Sequence, residues 1–216
     1  MQITGSNTRR AQILAGLLLT LGVANLPLGT WGGHLKVFGP LCSHEVLWWL
    51  AVVIVVLYVL RVERRVLSSI GFRKPKLWDI LLAVLTGILM VVGIVVIYSF
   101  VFPLLHLHQN SGEMNTLLRY PFWYRLLLVT RAAVAEEILF RGYPIERLEE
   151  LTGSHLVAGV VSWAVFTIAH LSSWGWAQLI VAGFSGLLLT VLYMWRRNTY
   201  ANMLAHWIAD GAGFLA

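Results

Sequence analysis

Apolar runs of span length, each closed by a short polar or charged junction, organise the chain. The first covers residues 11–28, behind Arg9 and Arg10. It resembles a signal peptide but lacks a small-x-small cleavage site, so it reads as a retained span. A link through Trp31, Gly32, Gly33, His34, Lys36 and Pro40 leads to a second run, 46–60, closed by Arg61, Arg64 and Arg65. The third, 77–105, is long, carries Gly87 and Gly93, and meets Pro103, where a tilt or kink is expected. His106 and His108 then open a polar loop that extends to Asn115. The fourth run begins near Pro121, carries Arg125 and Arg131, and is expected to emerge at Arg141, with residues 143–150 continuing into water. Thr152-Gly153-Ser154 marks a turn, with Ser154 placed to cap the fifth run, which ends near His170. The sixth and seventh cover 177–195 and 201–215. About 20 helical residues cross a bilayer core, so the pattern predicts an all-α polytopic bundle of about seven spans.

Charge sets the orientation. Only 12% of the 216 residues are charged, about half the share usual in soluble domains. The net charge of +6 comes from clusters at span ends: Arg9/Arg10, residues 61–76, Arg141/Arg147 and Arg196/Arg197. All fall on one side, which puts the N-terminus in the cytoplasm and makes 61–76 a link lying on an anionic leaflet. Nothing interleaves aromatic and basic residues as a nucleic-acid platform would, so no nucleic-acid partner is expected. Cys42 is the only cysteine, which excludes an internal disulfide and a cysteine metal site. The whole chain reads as one membrane domain, with 1–118 supplying N-terminal spans and 119–216 a core of four spans.

The chemistry concentrates in that second part. Ionisable groups inside a span are costly and usually face a bundle interior or a wet cavity. Glu137 and Arg141 are i,i+4 neighbours and can pair, whereas Glu136, about 100° further round the helix, is left over. If the fourth and fifth spans form a hairpin turning at Thr152-Gly153, Glu136 and His170 stand at nearly the same height. Asn202, His206 and Asp210, spaced i,i+4,i+8, form one polar stripe on the seventh span. No serine or cysteine has an evident base beside it, Ser162 and Ser185 included. Hydrolysis by activated water therefore fits better than a covalent nucleophile. In one scheme Glu136 activates water, His170 helps to hold it, and His206 with Asp210 or Asn202 serves the oxyanion. In another, Glu136, His170 and His206 hold one divalent ion such as Zn²⁺. A transporter or non-catalytic scaffold would also place such groups in spans. The spacing alone does not decide among these.

Three motifs in order carry a resemblance to a known family. Glu136-Glu137-x-x-x-Arg141, Phe166-x-x-x-His170 and His206-x-x-x-Asp210 resemble the EExxxR, FxxxH and HxxxN/D motifs of the CAAX-type and bacteriocin-processing membrane proteases, from about Tyr120 to the C-terminus. Gly183-Phe184-Ser185-Gly186 resembles the close-packing segment of that family's sixth span. The resemblance implies an intramembrane endopeptidase with a water-filled cavity open towards the cytoplasm and a membrane-associated protein or peptide as substrate. It implies that Glu136 activates water, that His170 assists, and that His206 and Asp210 stabilise the oxyanion. Glu137 and Arg141 form the supporting pair, with Asn202 and Phe166 beside them. The last position is Asp where the eukaryotic prenyl-protein proteases have Asn, so Asp210 must be protonated, orient His206 or serve a metal. Between the family's glutamate and metal schemes the resemblance favours the first, with no cofactor expected. The expected location is the bacterial inner membrane.

Overall fold

A computed structural model describes residues 2–35, 39–108 and 111–215; Lys36, Gln109 and Asn110 lie outside them. Every regular element among these residues is helical. The α-helices, joined in places by short 3-10 or π-helical turns, are in order α1 (Gln2–Leu17), α2 (Leu28–Leu35), α3 (Pro40–Leu57), α4 (Leu77–Val96), α5 (Phe102–Leu104), α6 (Ser111–Leu118), α7 (Phe122–Glu136), α8 (Tyr143–Thr152), α9 (His155–Ala169), α10 (Leu171–Trp174), α11 (Gln178–Arg196) and α12 (Thr199–Phe214). Three helices are long and apolar enough to cross a membrane: Leu41–Val62, Leu77–Leu104 and Gln178–Arg196. A fourth crossing is possible if the segments Asn7–Asn25 and Leu28–Leu35, bent by 76°, count as one span. The protein is therefore an integral membrane protein; among the described residues three helices, or four with the bent pair, qualify as spans by length and composition. The remaining expected spans correspond to shorter or more polar helices.

Small residues set the helix spacing, as they do where lipid provides no hydrophobic drive between helices. Ala201, Ala205 and Ala209 on α12 pack against Ala83 and Met90 of α4 and Leu189 of α11. A Cβ on Gly87 would meet Ile208 and the Ala205 carbonyl, so α4 and α12 approach closely at that point. A second cluster joins Ile13 and Leu17 of α1 and Val55 of α3 to Leu139, Phe140 and Tyr143.

Two expectations change. The polar loop after His108 contains α6. The third span is helical through Pro103, with a π-helical turn at Ile97–Val101 just before it. At the expected exit of the fourth span Arg141 is fully buried within the protein, and α8 then buries Tyr143, Ile145 and Arg147. The basic link 61–76 folds back under the bundle instead of lying wholly on a leaflet. Thr199 Oγ1 donates to the Ile70 carbonyl at 2.7 Å and its amide to the Gly71 carbonyl at 2.9 Å. Arg147 donates to Glu63 at 2.6 Å and to the Ser69 carbonyl at 3.2 Å. Gly71 adopts φ of +84°, and the side chains of Thr199 and Tyr193 leave no room there for a Cβ. The turn after α8 matches its sequence signature: Gly153 is left-handed and the Ser154 hydroxyl accepts from the Val157 amide at 3.3 Å.

The same end of the bundle carries an acid-sensitive tie. Arg65 donates to both Glu150 oxygens, at 2.6 and 2.9 Å, and Arg9 adds a further bond at 2.6 Å. The Arg65 hydrogen bonds hold the Glu150 carboxyl at about 2, against an ordinary value of 4.5, with partial burial opposing the shift. The folded state thus prefers the ionised group, so this contribution to stability is present above about pH 4.5 and fades as pH falls towards 2. Glu150→Gln is expected to flatten that part of the stability profile measured by thermal unfolding in detergent. High salt should weaken the wild-type effect, because the pair is partly exposed.

Candidate active site

The helix that carries the two adjacent glutamates changes its winding at them. Between α7 and α8 the backbone runs through a π-helical turn, Glu137–Gly142. Pro144 explains part of this. It has no N–H for the Phe140 carbonyl, and its ring crowds that carbonyl. The Ser162 hydroxyl of α9 donates to the Phe140 oxygen instead, which ties α9 to the wide turn and leaves Ser162 occupied. Such turns are often found at functional sites.

The two glutamates have different surroundings. Glu137 is completely buried, and three side chains donate to it: Arg141 Nη1 at 3.0 Å, Asn202 Nδ2 at 3.0 Å and His206 Nδ1 at 2.8 Å. Arg141 also donates to the Gly186 carbonyl at 3.3 Å and lies 3.9 Å over the Phe166 ring. Asn202 donates also to the Leu189 carbonyl at 2.7 Å. Glu137 thus joins α12, α11 and its own helix at one point. Glu136 keeps 14% of its side chain accessible and lines an internal cavity of about 430 Å³. It is not wholly without a partner, because Arg131 Nη1 stands 3.5 Å away. Arg131 in turn binds Glu45 of α3 at 2.9 Å, and Tyr124 donates to the same Glu45 at 3.2 Å.

His170, His206 and Asp210 line the same cavity as Glu136. His170 Nδ1 lies 2.8 Å from the Phe166 carbonyl, which can only accept, so the neutral ring carries its lone pair on Nε2. His206 Nδ1 faces Glu137, also an acceptor, and its Nε2 lies 3.5 Å from Asp210 Oδ2. Asn202 is absent from the cavity lining and is committed to Glu137 and Leu189. Four side chains thus bound the cavity with a carboxylate, an imidazole acceptor, a second imidazole and a second carboxylate. Ser185 lines it as well, with its buried hydroxyl unpaired. No three His, Cys, Asp or Glu side chains among the described residues are grouped to hold a metal ion. Glu136, His170 and His206 as placed do not make such a set, and no step below passes through a metal.

The cavity leads away from the arginine clusters. It is bounded by the distal half of α4 (Met90), the π-helical turn that follows it (Tyr98), the first turns of α11 (Gln178), and the last turns of α12 (Phe214). The opposite end is closed by Ile70, Tyr143, Tyr193 and Thr199, all fully buried. The resemblance implied an opening on the side of the basic junctions, and the described cavity runs the other way. The reason is the packed link, which fills that end. Sequence reasoning also gave no role to Glu45, Arg125 or Arg131. Charge inside an apolar run is the signal that could have singled them out.

Removal of one partner from a buried ion pair costs about 3 to 5 kcal/mol, whereas a partly exposed pair is worth about 0 to 1 kcal/mol. Glu137→Ala is therefore expected to lower thermal stability in detergent by an amount in the first range, and Glu136→Gln by an amount in the second. Glu137→Leu combined with Arg141→Met should recover much of the first loss.

Searches of curated proteins and of solved structures found no match. A family model does match, that of type II CAAX prenyl endopeptidase Rce1-like proteins, over residues 118–212. That interval holds α7 to α11, nearly all of α12, and Glu136, His170, His206 and Asp210 of the cavity wall. Over residues 118–212, somewhat under half of its length, the chain is thus similar to the Rce1-like type II CAAX prenyl endopeptidases.

Proposed function

We propose that this protein is an intramembrane endopeptidase that hydrolyses a peptide bond in a membrane-associated protein or peptide with water activated by Glu136. The observation that carries this reading is the unequal pair: Glu137 has its oxygens taken by three donors, while Glu136 faces the cavity shared with both imidazoles. Water held between the Glu136 carboxylate and His170 Nε2 loses a proton to Glu136 as it attacks the scissile carbonyl. The oxyanion takes a hydrogen bond from His206 Nε2–H. Since His206 Nδ1 already donates to Glu137, this requires both ring nitrogens to be protonated, and Asp210 holds the Nε2 proton until the substrate carbonyl replaces it. The 3.5 Å separation of Nε2 and Asp210 is a weak bond to give up. Glu136 then passes its proton to the leaving amine, and the intermediate collapses to an acid and an amine. Asp210 therefore orients His206, which is one of the roles open to an aspartate there.

The arginine clusters support a topology with the α8 end of the bundle in the cytoplasm and seven crossings, in which α7, α9 and α12 would be the short ones. The inner membrane of a bacterium is the location that fits this reading.

The test compares the membrane peptidome of cells with the full chain and with single variants. Glu136→Gln should reduce cleavage about 10²- to 10⁴-fold, and His206→Ala about 10²- to 10³-fold. His170→Ala should also abolish detectable product. Asp210→Asn, which keeps a partner for Nε2, should stay within about 10-fold. Cleavage should survive a membrane-permeant chelator. A product pattern unchanged by Glu136→Gln would favour a scaffold or transporter, and loss of product on chelation would favour the metal scheme.

A further inference from the structure

Every carboxylate with a described side chain has a basic partner within 4 Å. The converse fails at one point of the cavity wall. Two arginines line the cavity, and Arg131 is held by Glu45 and Glu136. Arg125 has no carboxylate among the described residues. Its Nη1 donates to the Phe214 carbonyl at 2.8 Å, and its Nε is buried with no acceptor. Nε and Nη2 form the side of the guanidinium that accommodates a carboxylate with two parallel bonds, and Nε on that side has no acceptor. A cation left unpaired inside an apolar wall is costly unless something completes it.

The position of Arg125 relates it to the reacting groups. Arg125 and Glu136 both lie on α7, separated by 11 residues, which is close to three full turns. They therefore share a face, about 16 Å apart along the axis. On α12 the carbonyl that Arg125 holds lies beyond His206 by about 12 Å, in the same direction. An extended peptide advances about 3.3 Å per residue, so the two spacings correspond to four or five residues.

We propose that Arg125 is a specificity-determining residue that binds a carboxylate of the substrate four or five residues from the scissile bond. The substrate enters from the end of the bundle opposite the arginine clusters, its anionic group docking on Nε and Nη2 while its backbone reaches Glu136. The carboxylate is an Asp or Glu side chain or a free C-terminus. This inference rests on the endopeptidase reading.

The test uses the full chain in detergent with synthetic peptide libraries that share an apolar segment, with cut sites read by mass spectrometry. One library contains Asp and Glu at random positions, one lacks both but keeps a free C-terminus, and one lacks both and is amidated. The expected result is cleavage concentrated four or five residues from a carboxylate, with about a 10- to 100-fold fall in kcat/KM when that carboxylate becomes an amide. The first two libraries tell a side chain from a C-terminus. Arg125→Gln should erase the difference between acid and amide while the amidated peptides are still cut. Arg125→Glu should reverse the preference towards Lys or Arg at the same distance. Cleavage by wild-type protein with no carboxylate preference, or a preference that survives Arg125→Gln, would overturn this proposal and leave the endopeptidase reading standing. Failure of wild-type protein to cut any library faster than Glu136→Gln would overturn both.

Discussion

A carboxylate and a guanidinium, both completely buried, meet at 3.0 Å between Glu137 and Arg141, and the second half of the bundle is arranged around them. Two charges taken out of water cost several kcal/mol each, and their attraction offsets this only when further hydrogen bonds use the remaining lone pairs and protons. Asn202, His206 and the Gly186 carbonyl supply those bonds from α12 and α11. The requirement therefore acts on the fold. A bundle that let α12 slide by one turn would leave a buried charge without its donors. Glu137 fixes the register of the helix that carries His206, and with it the position of Asp210.

Local backbone chemistry serves the same point. Pro144 withholds a donor from the Phe140 carbonyl, the Ser162 hydroxyl replaces it, and the intervening turn widens at the residues that must meet three neighbouring helices. Gly142 leaves room for the link below, where a Cβ would strike the Ile70 carbonyl. The link seals the end of the bundle beneath the charged pair, and the cavity opens on the other side of it. Because Glu137 is enclosed and Glu136 is not, two neighbouring residues of one type can take different work. One holds the helices together, and the other can meet water and substrate.

Much of this was legible in the sequence, because a polar residue inside an apolar run is a loud signal. Glu136, Glu137, His170, Asn202, His206 and Asp210 all stood out in that way. The Ser154 cap and the Gly153 turn were equally plain, since their chemistry is local. What did not read were relations across long separations. Glu45 and Arg131 lie 86 residues apart in the chain, and nothing in either neighbourhood announces the other. The link 61–76 looks like a charged surface segment because its packing uses backbone carbonyls, which every residue has. The burial of Arg141 did not read for a related reason: an arginine at the end of an apolar run looks like a surface residue unless a buried partner keeps it inside.

The central claim is that Glu136 alone of the pair meets the water of the cavity. Carboxylate labelling of the full chain in detergent, with a water-soluble carbodiimide and a small amine and read by peptide mass spectrometry, tests it directly. The account predicts label on Glu136, loss of cleavage in proportion to that label, and none on Glu137. Label on Glu137, or an unlabelled Glu136 in protein whose exposed carboxylates are fully modified, would contradict it.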